Sequence, residues 1–324
     1  MTELVKTVLK NDIGMEVTLV NFGARITSVK YPVIDKLQEM LVRYDTTKEF
    51  VSDPFYLGAT CGRVCNRIEN AKFEIDGQQY TLPANDGDNC LHGGDDNISL
   101  QYWQLEQDSL TAQYAKFTLD VSDGHNGFPG NVQLAVTYQL SENGALTIDY
   151  WGITDKKTPL NLTNHAYFNL GEKSCFDLQL KLSADGFLER SSAGIPTGEL
   201  LNIDDMGVDF AAGRSIAELI DLNKFAQVKN EEGFDTCFVL KPESEIKAEL
   251  RSVKNRVKMT VMTDQPSIQL YTGKFLDDPF RPYQGVCLEC QDYVDATNQP
   301  HFPSILLSPG EEYQRQIVYK FSAY

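Results

Sequence analysis

The run Ala71-Lys-Phe-Glu-Ile-Asp-Gly-Gln-Gln-Tyr-Thr-Leu82 decides how the chain is read. Asp76-Gly77 is the kind of dipeptide a two-residue type I′ turn prefers, because both central residues of that turn take positive φ. A turn there sets Ile75 opposite Gln78, Phe73 opposite Tyr80 and Ala71 opposite Leu82. Phe73 and Tyr80 then share one face of a hairpin, and Glu74 and Gln79 share the other. A second hairpin follows the same logic. Val132, Leu134, Val136, Tyr138 and Leu140 alternate with other residues, Ser141-Glu-Asn-Gly144 turns the chain, and Leu146, Ile148 and Tyr150 alternate on the way back.

Outward from these hairpins, segments 15–20, 117–121, 246–250, 257–261 and 267–271 carry further strand patterns, and Leu306 sits in a late apolar run. Helical signals are few; the best is Ser215-Ile-Ala-Glu218, a capping box opening a short helix. No helix alternates regularly with the strands, which argues against a parallel α/β fold. Pro and Gly are dispersed, with no linker, short-period repeat or low-complexity tract. The expectation is therefore an all-β chain: one domain over 1–324, a large antiparallel β-sandwich with a few short helices.

The formal net charge of -17 repels polyanions. Nucleic acid and anionic membrane are thus poor partners, and a phosphosugar site would need a local basic pocket to override the global charge. The N-terminal stretch lacks the apolar core and small-residue cleavage site of a signal peptide. No apolar run reaches bilayer-spanning length. The 7 Cys, an odd number spread along a long chain, fit reduced thiols and a cytoplasmic location better than a disulfide framework.

Three segments concentrate polar chemistry. In Thr158-Pro-Leu-Asn-Leu-Thr-Asn-His-Ala-Tyr-Phe-Asn-Leu170, an extended chain would point Asn161, Thr163, His165, Tyr167 and Asn169 one way. That face is either the wall of a site or a solvated outer sheet face. In Gly285-Val-Cys-Leu-Glu-Cys-Gln-Asp-Tyr293, Val286, Leu288 and Cys290 share one face and Cys287, Glu289 and Gln291 the other. Glu289 is then either half of an acid/base pair with His165 or an ordinary partner for an Arg. Cys287 and Cys290 face opposite sides of a strand, which suits neither a shared metal nor a disulfide. The third segment runs from Gly62-Arg-Val-Cys-Asn-Arg-Ile68 to Asn89-Cys-Leu-His-Gly-Gly94. Asn66 and Arg67 offer donors suited to sugar hydroxyls. Against that stand a structural ion pair for Arg67 and an ordinary loop position for His92.

Together with other stretches, these motifs resemble the aldose 1-epimerase (galactose mutarotase) family, in order, from about Val17 to Phe321. Val17-Thr-Leu-Val-Asn-Phe-Gly-Ala-Arg-Ile-Thr27 resembles its opening strand pair. Gly62–Ile68, Leu91-His-Gly-Gly94 and Asn126-Gly-Phe-Pro-Gly130 follow, and the Pro159–Leu170 run is its most recognisable signature. Phe234-Asp-Thr-Cys-Phe-Val-Leu240, Leu270-Tyr-Thr-Gly273, Leu288-Glu-Cys-Gln291, Asn298-Gln-Pro300 and Ser308-Pro-Gly-Glu311 complete the match. The resemblance implies a sandwich with a sugar site in an open cleft on one sheet. It implies Glu289 as general base and His165 as general acid. Arg67, His92, Asp235 and Gln269 resemble sugar-binding positions, with Asn66 beside them. The sequence departs from the family beside Asp235, where Phe234 and Thr236-Cys237 replace Tyr and His-Asn, and beside Glu289, where Cys290 replaces a Thr-like residue. Those departures bear on sugar preference.

The chemistry so implied is the interconversion of α and β anomers of a free hexose such as D-galactose or D-glucose. Ring opening needs one proton taken from the C1 hydroxyl and one given to the ring oxygen. Glu289 is expected to start ionised, and His165 protonated with its pKa raised by the nearby carboxylate. No hydride moves and no water is consumed, so no nucleotide, metal or other cofactor is expected, and no G-x-G-x-x-G or Walker A pattern is present. The partner is a small-molecule monosaccharide; whether the enzyme is a monomer or a homodimer stays open. Alternatives are a disaccharide (maltose) epimerase, a hexose-6-phosphate 1-epimerase, a glycosidase using Asp235 with Glu289, and a non-catalytic sugar-binding protein of the same fold.

Overall fold

The Asp76-Gly77 turn forms as its residues dictate, with φ of 51° at Asp76 and 82° at Gly77. Strands Lys72–Ile75 and Gln78–Thr81 pair with Phe73 opposite Tyr80 and Ile75 opposite Gln78. The Leu82 N–H donates to the Ala71 carbonyl at 2.8 Å and continues the register. The Phe73 and Tyr80 rings stack 5.3 Å apart, while Glu74 and Gln79 are exposed. The computed structural model describes residues 3–34 and 36–324, so the first two residues of the N-terminal stretch, and Asp35 within the expected 1–324 domain, lie outside the described residues.

The second hairpin, Val132–Leu140 with Ala145–Thr154, supplies the third and fourth strands of a nine-stranded sheet. Tyr114–Val121 and Gln104–Leu105 extend it on one side. Tyr313–Ala323, Val257–Thr263, Ala248–Ser252, Gln179–Leu182 and Arg214–Ser215 extend it on the other. A six-stranded sheet runs Tyr167–Phe168, Val286–Gln291, Ser267–Tyr271, Asp235–Leu240, Ala184–Arg190, Pro196–Asn202. Neighbouring strands in both sheets are antiparallel.

The period-2 alternation of each strand sends one face inward. Val136, Tyr138, Ile148 and Ile317 from the larger sheet join Phe238, Ile268, Leu270 and Leu288 from the smaller one in a single buried cluster. Fully burying such side chains stabilises the fold by about 1.5–3 kcal/mol each. The Tyr319 hydroxyl, at the centre of this layer, donates to the Leu288 carbonyl across the two sheets at 3.5 Å. The result is an antiparallel β-sandwich whose smaller sheet has its second face free to build a site.

Among the described residues there are two short α-helices, Ile216–Leu222 and Ala226–Asn230. The first opens with the expected capping box. Ser215 Oγ accepts from the Glu218 N–H at 3.2 Å, and the Glu218 carboxylate accepts from the Ser215 N–H at 2.9 Å. No helix among the described residues is long and apolar enough to cross a membrane.

Two strand expectations need correction. The run expected at 246–250 begins two residues later, at Ala248, and Ile246 is exposed. Lys247 explains this: its ammonium is tied back to the Lys241 and Pro242 carbonyls at 2.6 and 3.1 Å, closing a turn that ends where the strand starts. The Thr158–Leu170 run is also not one extended strand. It makes three two-residue strands, Thr158–Pro159, Thr163–Asn164 and Tyr167–Phe168, which pair with Leu306–Leu307, Thr60–Cys61 and Val286–Gln291 in turn. Because each piece pairs with a different partner, the chain bends between them.

Candidate active site

Glu289 occupies the middle of Val286–Gln291, where alternation sends Val286, Leu288 and Cys290 into the core and Glu289 to the opposite face. Its side chain is buried, and Oε2 has no hydrogen-bond partner among the described residues. A carboxylate oxygen left bare in a buried setting is costly unless a ligand completes it. His165 faces it from the bend between Thr163–Asn164 and Tyr167–Phe168. Its backbone is clamped by its N–H on the Ala59 carbonyl and its carbonyl on the Gly58 N–H, both at 2.9 Å. Nε2 of His165 then lies 3.7 Å from Glu289 Oε1, and Cys287 Sγ sits 3.6 Å from Nδ1 on the other side of the ring.

His92 closes the group. Its φ is 51°, and its Nδ1 accepts the Asn66 N–H at 3.2 Å, leaving Nε2 to carry the proton of the neutral ring. The His92 and His165 rings meet edge-on with centroids 5.3 Å apart, and Tyr56 packs on both. These groups, with Asn66, Arg67 and Asp235, line a cavity of about 160 Å³. The ligand atoms of His92, His165 and Glu289 all lie within 4.8 Å of one another. That set of two imidazoles and a carboxylate could also hold a divalent ion.

Arg67 reaches the cavity from a two-residue strand, Arg67–Ile68, paired with Cys90–Leu91. Its Nε donates to Asp86 at 2.7 Å. Gly194 lies against the guanidinium: a Cβ there would meet Arg67 Cζ, Nε and Nη1 at 3.0 Å. Asp235 opens the strand Asp235–Leu240 and lines the cavity. Gln269 does not line that cavity. It stands opposite Glu289 in the strand register, with Nε2 donating to the Asp235 carboxylate at 2.6 Å and Oε1 without a partner among the described residues, and it borders a small void that it shares with Asn66, Arg67 and Asp235. The structure therefore brings Asn66, Arg67, His92, His165, Asp235 and Glu289 to one cavity, with Gln269 beside it between Asp235 and Glu289. Ile268 and Leu270 face the core, as the alternation of that strand requires.

Of the five residues expected on one face of the bent run, His165 and Tyr167 reach the cavity. Asn161 instead bonds the Asp292 backbone in both directions, Thr163 is buried, and the Asn169 side chain accepts the Gly171 N–H. The solvated-face alternative fails because Asn161, Thr163, His165 and Tyr167 are all buried. Glu289 likewise makes no ion pair with an Arg; the side chain nearest its carboxylate is the His165 imidazole. All seven Cys are free and buried. Sequence reasoning missed Tyr56, Asp86 and Phe275. Asp86 precedes Gly87 and so signals only a turn, and nothing local to Tyr56 or Phe275 marks them.

Burial governs the electrostatics. Loss of water pushes the Glu289 carboxyl well above the usual carboxylate range; the Asp235 charge adds to this and the Arg67 guanidinium opposes it. Burial likewise lowers His165 to about 4 and holds His92 well below the ordinary imidazole value. The expectation that a nearby carboxylate raises His165 is thus corrected: desolvation of the imidazolium outweighs the attraction.

His165, Glu289, His92, Asn66, Arg67 and Asp235 thus converge on one cavity on the outer face of the smaller sheet, in a fold and a sequence that known proteins share. The family model described as Aldose 1-epimerase matches residues 6–320. A galactose mutarotase of Bos taurus is 34% identical over 95% of this chain and 91% of its own length. An aldose 1-epimerase of Escherichia coli K12 is 33% identical over 97% of this chain and 94% of its own. Among solved structures, a GalM/aldose epimerase homologue from C. elegans superposes with a TM-score of 0.91 at 29% identity, covering 99% of both chains. With the family model running almost end to end and relatives a third identical along nearly their whole length, the chain belongs to the aldose 1-epimerase family.

Proposed function

We propose that this chain interconverts the α and β anomers of a free hexose, D-galactose or D-glucose, with Glu289 as general base and His165 as general acid. The observation that carries the reading is the His165–Glu289 pair, 3.7 Å apart, buried, and facing one cavity of about 160 Å³. Glu289 takes the proton of the C1 hydroxyl while His165 gives one to the ring oxygen. The C1–O5 bond opens, C1–C2 rotates, and closure on the other carbonyl face returns both protons. Arg67, His92, Asn66, Asp235 and Gln269 hold the hydroxyls while this happens, and Gln269 also steadies the Asp235 carboxylate.

The burial of the pair sets the balance between its charged and neutral forms. Ring opening converts ionised Glu289 and protonated His165 into their neutral forms, and the same total charge is kept throughout. Burial disfavours each charge, so it destabilises the state before opening relative to the state after it. The attraction between the two charges acts the other way and keeps the reactive ion pair accessible.

The family match over 6–320 supports a single catalytic unit over 1–324. Seven free, buried thiols support a cytoplasmic location. The strongly acidic surface supports a small neutral substrate over nucleic acid or membrane. The test follows the optical rotation of fresh α-D-galactose and α-D-glucose. Glu289→Gln is expected to lower kcat by about 10²–10⁴-fold, the usual contribution of one proton transfer, while sugar binding survives. A variant with near-wild-type rates refutes the assignment.

A further inference from the structure

Both ring nitrogens of His165 face one strand. On Val286–Gln291 the alternation that sends Glu289 to the cleft face sends Cys287 to the same face. Residues two apart along a strand stand about 6.6 Å from each other, a gap that an imidazole laid along the face can bridge. His165 does so: Nε2 lies 3.7 Å from Glu289 Oε1, and Nδ1 lies 3.6 Å from Cys287 Sγ. The sulfur is fully buried, and Tyr167 and Tyr271 stand opposite it in the register of the two neighbouring strands.

We infer that Cys287 is a positioning residue for the anomer exchange: its sulfur accepts the Nδ1–H of His165 and so fixes the tautomer in which Nε2, the nitrogen facing Glu289, gives and regains the proton. This deepens the epimerase reading and rests on it. Once Nε2 has given its proton to the ring oxygen of the sugar, the proton left on the neutral imidazole is the one on Nδ1. The partner of that N–H decides which nitrogen is bare. The His165 carbonyl also favours a proton on the ring, but it already accepts the Gly58 N–H at 2.9 Å; the sulfur is the side-chain acceptor in reach. His92 is set the opposite way. Its Nδ1 accepts the Asn66 N–H, so its proton sits on Nε2. The two imidazoles of the cavity thus carry opposite tautomers, each dictated by what stands at Nδ1.

A thiol suits this position better than a carboxylate. Burial pushes Cys287 well above the ordinary thiol range, so the acceptor is uncharged at neutral pH. A carboxylate at Nδ1 would favour the imidazolium and hold back the proton that Nε2 must release. Anomer exchange runs through the same two groups in both directions, so the ring has to release that proton as well as take it back. A weak neutral acceptor orients the ring without adding a charge that favours one form.

The experiment reads tautomer and kinetics together. Long-range proton–nitrogen correlation spectra of the sugar-free enzyme at pH 7, with the His165 signals assigned by their loss in His165→Asn, are expected to show a proton on Nδ1 and a bare Nε2 for His165, and the reverse for His92. Cys287→Ala and Cys287→Val both remove the acceptor, the first leaving a gap and the second filling it. Each should lower kcat about tenfold on whichever of α-D-galactose and α-D-glucose the wild type turns over faster, near the upper range for one hydrogen bond, with KM within about twofold. Cys287→Ser restores an acceptor and should exceed Cys287→Val in kcat by about threefold. A packing role predicts the opposite order, because the sulfur belongs to an apolar cluster with Val42, Leu57 and Leu276, where a hydroxyl fits worse than a hydrocarbon. A proton on Nε2 of wild-type His165 overturns the inference, and that spectrum decides even where a variant does not fold. Unchanged kcat in Cys287→Ala and Cys287→Val, or Cys287→Ser no faster than Cys287→Val, overturns it too. A wild type that accelerates neither hexose would instead remove the epimerase reading itself, and the positioning role with it.

Discussion

Arg25→Met tests how the cavity is held from behind. Arg25 and Asp53 form an ion pair at 2.5 Å with both side chains fully buried, and Arg25 also donates to the Ser99 carbonyl at 3.1 Å. Removing one partner of a buried pair usually costs about 3–5 kcal/mol, because the other charge is stranded. Asp53 would keep three donors: the Leu57 N–H at 2.7 Å, and the Phe55 N–H and Tyr44 hydroxyl at 3.1 Å. That places the loss at the low end, about 3 kcal/mol, which at about 2 °C per kcal/mol for a large domain lowers Tm by roughly 6 °C. The 53–57 turn carries Phe55 and Tyr56 to the cavity wall, so loosening its anchor should raise the hexose KM several-fold and change kcat less. Thermal unfolding by near-UV circular dichroism and polarimetric kinetics on the same preparation read both effects. A variant within about 1 kcal/mol of wild type would refute the energetic argument. A destabilised variant with unchanged KM would refute the link between the ion pair and the cavity.

In the proposed mechanism the His165–Glu289 pair shares one proton, so burial pushes its two limits apart: gaining a second proton is deferred to about pH 4, where His165 charges, and losing the shared one is deferred upward by the raised Glu289. The rate should therefore stay flat from pH 5 to neutrality, and a fall centred near 6.5, the ordinary imidazole value, would contradict this. Asp295 is buried, its Oδ2 lacks a partner and its carboxyl is pushed up to about 6, so the stability it contributes is full below about pH 4 and is lost as pH rises through 6. Asp295→Asn keeps the acceptor used by the Glu69 N–H and tolerates the φ of 56°; it should gain about 1–3 kcal/mol at pH 7 and nothing at pH 4, and a pH-independent difference in urea unfolding would refute the assignment. Gly194→Val presses on the Arg67 guanidinium from a position with φ of 77°, and should raise the hexose KM about tenfold with a smaller effect on kcat; unchanged KM would show that Arg67 is not held by this contact.

What could be read from the chain follows from where the information sits. The 71–82 hairpin was legible to the residue because Asp76-Gly77 fixes both the turn type and the register that follows from it. Glu289 was legible because its strand alternates strictly between core and cleft. The 158–170 run misled because both its faces are buried: Leu160 and Leu162 pack in the core, and Asn161 and Thr163 are buried as well. Alternation identifies a strand only when one face is wet, and here the polar residues serve backbone groups of distant segments. The sign of the His165 shift was misjudged because a sequence places two charges near each other but does not reveal how little water remains between them. The cleft wall around Asp86 depends on segments brought together from residues 67, 86, 190–195 and 271–275, and no spacing rule links those.

The seven buried thiols make the chain a recorder of its own fluctuations. Burial pushes the Cys237 thiol to about 11 and the Cys90 thiol to about 12, so little thiolate exists at neutral pH in the closed molecule. An alkylating reagent in the solvent therefore advances only during the moments when a segment comes apart. Cys61, Cys65 and Cys287 sit in the shell of the cleft, whereas Cys175 and Cys290 lie in the central core. The order in which these sulfurs are modified is thus a sequence of local melting events written covalently into the protein, from the cleft floor to the global transition.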